Sequence, residues 1–329
     1  MHHSKLSVVI PMYNTSRFIE DCIQSVLNQN YNNIEIIIID DCSIDDSYQR
    51  VQDLYGKHPS VRIEQMEINS GAGGARNRGL SLASGEYISF LDSDDAWHSS
   101  FIELMLTELI NTNSNIVSCL DSRFSDAPNI SSLLEKKSFK SITPIESLLL
   151  AESACKKIYK IDYLRENNIR FPEYMTAEDA LFTPLSLSFA GTIRHIDLPL
   201  YLYRLAHSTS VTKSGKAIED GLNILSQILS HPLITNEIKI FMTQKKIVGY
   251  IRRNATLSPR KALAHIQSYE IISTCLSCII SENGDTYLCG KDKQAWASIY
   301  QYLLTQNRFY LIVLYFRFFN RLRRLKRAH

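Results

Sequence analysis

Five short apolar runs, at residues 6–10, 34–39, 61–63, 87–91 and 116–120, dominate the first third of the chain, and most are followed at once by polar or acidic residues. Runs of this length without strict alternation read as strands buried on both faces. Between them apolar residues recur at helical spacing: Phe18, Ile19, Cys22, Ile23, Val26 and Leu27, then Val51 and Leu54, then Phe101, Leu104, Met105 and Leu109. Strand alternating with helix predicts an α/β protein with a doubly wound, mostly parallel sheet. Such a sheet takes its ligands in the crevice beyond the carboxyl ends of its strands, so the residues just after each strand are the candidates for function. Pro11, Tyr13 and Asn14 follow the first run, Asp40, Asp41, Ser43 and Asp45 the second, and Asp92, Ser93, Asp94 and Asp95 the fourth. Three strand ends therefore converge on one acidic and aromatic pocket.

Two carboxylates on a tight turn, Asp92 and Asp94, are hard oxygen donors suited to Mg²⁺ or Mn²⁺. The same Ser-Asp-Asp residue types also cap helices well, and that second reading stands beside the first. Up to five carboxylates, at 40, 41, 92, 94 and 95, would meet at neighbouring strand ends, where their repulsion calls for a cation. Asp95 is read as a cap or an outer support. Tyr13 has a ring that can stack on a nucleobase, although a loop tyrosine also packs without a ligand. Asp41 can accept from a ring N–H of that base. The glycine-rich segment 69–79 fails as a dinucleotide loop, because Arg76 stands where the third glycine belongs. Its glycines instead permit a close approach to a helix beginning near Ala72, with Arg76 ordering the carboxylates or reaching a diphosphate.

Composition bounds the rest. The chain has 329 residues, 45% hydrophobic and 21% charged, enough for one large or two modest domains. Its 36 basic and 34 acidic residues leave a formal charge of +2, which gives no reason to expect nucleic acid as a partner. Seven scattered cysteines read as reduced thiols, and the lone Cys275-x-x-Cys278 reads as helix packing. No secretory signal or membrane span is legible. A polar stretch at 122–132 reads as a loop or insertion. From residue 213 to 329 the pattern becomes mainly helical, as in Ile218, Leu222, Leu225 and Ile228, which predicts a second region after a first domain at 1–212. Its final helix, about 308–327, carries Leu311, Tyr315, Phe318, Leu322 and Leu325 on one side, with Arg317, Arg321, Arg323, Arg324, Lys326 and Arg327 around it. Such a helix suits an anionic membrane surface; docking on the protein is the alternative.

Taken together, Pro11-x-Tyr13-Asn14, Asp40-Asp41-x-Ser43-x-Asp45, the block from Asn69 to Gly79, and Phe90-Leu91-Asp92-Ser93-Asp94-Asp95 resemble the family 2 glycosyltransferases, over roughly residues 5 to 210. The resemblance implies the GT-A fold and a nucleotide-sugar donor, with Tyr13 and Asp41 on its base. Asp92, Ser93 and Asp94 would form the DxD that holds ribose and the metal-bound diphosphate, Asp94 being the direct ligand of Mn²⁺ or Mg²⁺. It implies further that Asp179 of Glu178-Asp179 is the catalytic base of an inverting transfer. On residue type alone, Asp179 reads equally as a carboxylate at a helix N-terminus. Arg204 and His207 resemble a loop that closes over donor or acceptor, and Lys157-x-Tyr159-Lys160 with the segment 168–171 resembles a stretch leading to the acceptor site. The implied acceptor is a hydroxyl of a glycan or lipid-linked glycan in surface polysaccharide biosynthesis, reached at the cytoplasmic face of the cell membrane. A nucleotidyltransferase would show a glycine- and lysine-rich phosphate loop near the first strand, which is missing. A catalytically silent sugar-nucleotide-binding protein would have no need of the intact acidic set.

Overall fold

The computed structural model describes residues 4–125, 138–172, 178–205, 224–225, 227–239 and 241–242. The chain divides into two compact units, Met1–Ala217 and Ile218–His329. His207, Cys275, Cys278, the basic tail and most of the 213–329 region lie outside the described residues. Within the second unit Ile224, Leu225, Ile228, Ile234 and Ile238 are buried. Among the described residues no helix is long and apolar enough to cross a membrane.

The first unit begins with β1 (Leu6–Met12), α1 (Ile19–Leu27), β2 (Ile34–Asp40), α2 (Ser47–Tyr55), β3 (Val61–Gln65), α3 (Gly71–Leu82) and β4 (Tyr87–Phe90). The strands lie in the order β3-β2-β1-β4, all parallel. Every residue of β1 is buried, as its unbroken apolar run requires of a strand flanked on both sides. Pro11 lies beyond Val9, the last residue of β1 with a partner in β4, where a missing N–H is tolerated. The chain leaves β1 toward β2 and later returns to the other side at β4, so the order reverses between β1 and β4 and a crevice opens above them.

The second half of the unit departs from the mostly parallel expectation. It runs β5 (Ala96–Trp97), α4 (Phe101–Asn111), β6 (Ile116–Phe124), β7 (Phe139–Ile142), α5 (Pro144–Leu150), a 3-10 turn (Ala154–Lys156), β8 (Lys157–Lys160), α6 (Ile161–Glu166), α7 (Asp179–Ser188) and β9 (Ile193–Arg204). β8 inserts antiparallel between β4 and β6, β9 pairs parallel with β6, and β5 and β7 pair antiparallel with β9, so the sheet is mixed. Ser122–Phe124, expected in a loop, extend β6 alongside β9. An aromatic cluster binds this half to the first: Phe171 stacks on Phe182 at 3.8 Å, and both meet Phe90 edge-on at 4.9 and 5.8 Å. Such pairs contribute about 0.5–1.5 kcal/mol each beyond their buried area. They fix the start of α7 against the end of β4.

Two glycines set how closely α3 approaches its neighbours. A Cβ on Gly79 would come within 2.2 Å of Val9 Cγ1, and one on Gly73 within 2.5 Å of the Pro172 carbonyl oxygen. The helix therefore lies against β1 at a distance that only glycine allows, and this is the purpose of the 69–79 segment. Gly79→Ala should lower stability by about 1–3 kcal/mol, the usual cost of overpacking. A urea midpoint measures it, and adding Val9→Ala should recover part of the loss.

Candidate active site

Asp92 follows β4, and its Oδ1 accepts from Arg76 Nη2 at 2.5 Å. The other arm of the guanidinium, Nη1, pairs with Glu178 Oε1 from the residue just before α7. Arg76 is 3% exposed, and its ring-facing side lies 5.3 Å from the centre of Phe171. A single buried cation from α3 thus joins the acidic turn after β4 to the acidic pair that opens α7. Burial disfavours the charge, but the facing carboxylates outweigh it and push the Arg76 pKa further up. Cys155 completes the cluster, its Sγ 3.4 Å from the same Asp92 oxygen.

Four of the five strand-end carboxylates have protein partners. Asp40 accepts from Ser43 N–H and Gln65 Nε2. Asp41 accepts from Ser70 N–H at 2.7 Å, at the mouth of α3. Asp92 has Arg76. Of the two readings of Asp95, the structure fits the outer support and not the helix cap: it accepts from Tyr201 Oη at 2.5 Å and Arg204 N–H at 2.8 Å, locking the end of β9 onto the turn. Asp94 is the exception, because among the described residues no side chain donates to its carboxylate. Burial and the neighbouring charge of Asp92 push its pKa up to about 6, so a cation here would relieve a real electrostatic cost. Among the described residues no group of three or more His, Cys, Asp or Glu side chains is assembled to hold a metal by itself. Asp94, with Asp92 beside it, is the oxygen donor set that suits Mg²⁺ or Mn²⁺ sharing its coordination with a phosphate.

Tyr13 is 46% exposed at the crevice rim, with its ring open to a ligand. Asn14 adopts a left-handed φ of 52° and its Oδ1 accepts from Ile44 N–H at 2.8 Å, stapling the loop after β1 to the loop after β2. Pro11 and Ser93 are buried. Arg204 is buried too: it donates from Nε to the Asp94 carbonyl at 2.7 Å and from Nη2 to Asp21 at 2.9 Å, between the rings of Phe18 and Phe124. It braces the backbone of the acidic turn.

Asp179 opens α7 beside Glu178. Its Oδ2 accepts from Ser153 Oγ at 2.9 Å, while Oδ1 is buried and has no partner. Burial pushes its carboxyl up to about 6, against the opposing pull of Arg76. Sequence reasoning did not find Ser153, which lies just before β8 in a stretch without a motif. A cavity of about 180 Å³ opens beside Asp92, Asp95 and Ser153, and its wall is completed by Asp121, Arg123, Lys156, Tyr201 and Tyr203.

Residues 7–166 match the profile of glycosyl transferase family 2. That segment belongs to glycosyl transferase family 2. The chain is 29% identical to the glycosyltransferase YibD of Escherichia coli K12 over 67% of each chain. It is also 29% identical to the poly(ribitol-phosphate) beta-N-acetylglucosaminyltransferase TarS of Staphylococcus aureus MW2, over 77% of this chain but only 45% of that longer relative. The crystal structure of S. aureus TarS 1–349 with UDP-GlcNAc shares the fold at a TM-score of 0.64 and 23% identity, covering 84% of this chain and 80% of that one. A mannosyltransferase of Pyrobaculum calidifontis, solved with GDP-Man and Mn²⁺, aligns at a TM-score of 0.56 and 18% identity over 94% of this chain and 88% of that one. The α/β unit therefore has the GT-A fold.

Because Arg76 is shared by two carboxylates, its removal leaves both uncompensated. Arg76→Met should cost about 3–5 kcal/mol in chemical denaturation. Arg76→Lys should recover little of that, since one ammonium cannot reproduce the planar fork.

Proposed function

We propose that this protein is an inverting, metal-dependent glycosyltransferase that moves a sugar from a nucleoside-diphosphate donor, in the first instance a UDP-sugar, to a hydroxyl of a glycan or lipid-linked glycan. The observation that carries the reading is the pairing of Asp92 with Glu178, the residue next to Asp179, across one buried guanidinium. A carboxylate turn suited to a diphosphate and a carboxylate with one free buried oxygen thereby share a single site. Family membership and the named activities of the relatives support the same reading.

In this mechanism Tyr13 stacks on the base at the crevice rim, and Asp41, next to the mouth of α3, accepts from a ring N–H of the base. Asp92 and Ser93 hold the ribose and diphosphate side of the donor. Asp94 holds Mn²⁺ or Mg²⁺, which when bound supplies charge to stabilise the departing diphosphate. Asp179 Oδ1 takes the proton of the attacking acceptor hydroxyl, and a pKa near 6 is well matched to a base working near neutral pH. Arg76 keeps the two carboxylate sites in register, while Arg204 holds the turn that presents Asp94. The cavity beside Ser153 is the place for the acceptor. Surface polysaccharide is the acceptor class, reached from the cytoplasmic face of the membrane. There the basic residues from Arg317 onward give the chain an affinity for anionic lipid.

The purified protein, incubated with UDP- and GDP-sugars and Mn²⁺, Mg²⁺ or EDTA, should release nucleoside diphosphate from one donor. That release should vanish with EDTA and in Asp94→Ala. Absence of both release and metal-dependent nucleotide binding would sink the assignment. Asp179→Asn should keep donor binding and slow transfer by roughly 10²- to 10⁴-fold. Because the base must be deprotonated, wild-type kcat/KM should fall about tenfold per pH unit below about 6, and the Asn variant should lose this dependence.

A further inference from the structure

The two oxygens of Asp179 are not equivalent, and the reason lies in a turn that no motif marks. Ser153 Oγ accepts the Cys155 N–H at 3.2 Å, as the residue that opens the 3-10 turn, and lies 2.9 Å from Asp179 Oδ2. A hydroxyl has one proton. With one lone pair engaged by the Cys155 amide, its proton is directed to the carboxylate. The turn itself is anchored from below. Lys157, fully buried at the start of β8, donates from Nζ to the Ser153 carbonyl at 2.9 Å and to the Ala151 carbonyl. A buried ammonium with two carbonyl partners is an expensive device to maintain, since burial pulls its pKa down to about 7. It holds in place the residue that donates to Asp179.

We propose that Ser153 is a positioning residue for the transfer reaction: its hydroxyl holds Asp179 Oδ2, which leaves Oδ1, the oxygen without a described partner, to act on the acceptor. The proposal rests on Asp179 acting as the base. Donation to the charged form favours ionisation, so the hydroxyl keeps the carboxylate available despite its burial. The other charged and titratable groups acting on Asp179 are Arg76 from α3, Glu178 beside it, Asp92 after β4, Cys155 from the turn, and Lys157 and Tyr159 from β8. Ser153 alone among these meets it through a described hydrogen bond. Ser153 also lines the cavity next to Asp92, which places the residue that holds Asp179 at the edge of the open space of the site.

The test compares wild type, Ser153→Ala, Ser153→Thr and Asp179→Asn in two ways: the pH dependence of kcat/KM, and a ¹³C NMR titration of labelled aspartate, in which the signal lost in Asp179→Asn identifies the carboxylate. Ser153→Ala should raise the apparent pKa of Asp179 by about one unit in both measurements, the worth of a hydrogen bond to a charged group. At pH 6 this lowers kcat/KM about fivefold, with nucleotide affinity retained. Ser153→Thr, which keeps the hydroxyl, should restore the wild-type profile. A titration that does not move in Ser153→Ala overturns the proposal, whether or not the rate falls. If Ser153→Ala fails to fold, Ser153→Cys replaces it: a raised pKa supports the proposal and an unmoved one overturns it. Full transfer by Asp179→Asn would instead remove the base assignment, while the NMR titration still decides the pairing.

Discussion

A single guanidinium governs how this site is assembled. Arg76 is buried on α3, a helix held against β1 by glycines, and from there it reaches the turn after β4 with one arm and the start of α7 with the other. Without that cation, Asp92 and Glu178 would place like charges in a region of low dielectric, and the two halves of the crevice would repel. The planar fork matters as much as the charge, because two carboxylates from distant parts of the chain must be met at once from one position. The aromatic cluster of Phe90, Phe171 and Phe182 supplies the apolar counterpart: it carries no charge, yet fixes the same two elements and lies under the guanidinium. Electrostatics and packing thus converge on one geometry.

The carboxylates of the crevice differ in how their oxygens are satisfied. Asp41 and Asp95 accept from backbone amides and Tyr201, which mounts α3 and β9, while Asp40 engages its Oδ2 with Ser43 N–H and Gln65 and keeps its Oδ1 buried without a partner. Asp94 meets no side-chain donor among the described residues, and Asp179, like Asp40, keeps an oxygen buried without a partner. Asp94 and Asp179 are both pushed up to about 6 by burial. Leaving a buried acceptor unmade costs about 1–3 kcal/mol, and a protein tolerates that where a ligand is to complete the set.

Much of this was legible in the sequence, and the limits are physical. The buried strands β1, β2 and β4 announce themselves because strands flanked on both sides must be continuously apolar, and their polar ends follow from the crevice rule. β8 and β9 gave no such signal. KIYK carries lysines at both ends, and Lys157 is fully buried only because two carbonyls receive its ammonium. The antiparallel insertion of β8 between β4 and β6 therefore could not be read from hydrophobic pattern. The DxD was visible as spacing, and Glu178-Asp179 through resemblance. The link between them was not, because Arg76 and Glu178 are 102 residues apart and nothing local in either segment records the pairing. In sequence Asp95 stands between a cap and an outer support for the same reason: its partners, Tyr201 and Arg204, lie more than a hundred residues on and make it a support.

Those long-range contacts also explain why the site is made from the second half of the unit as much as from the first. The parallel strands alone would present a polar crevice with an open side and without Asp179. The antiparallel return of β8 brings the Ser153 turn to that open side, α7 brings Asp179, and β9 closes over the acidic turn through Arg204. Each addition is tied to the turn after β4: Cys155 and Arg76 meet Asp92, and Arg204 meets Asp94 and Asp95. A shift of that turn would move all three additions together. The geometry of the acidic turn and that of Asp179 are therefore mechanically one quantity here, and a substitution that loosens the turn should be felt by both.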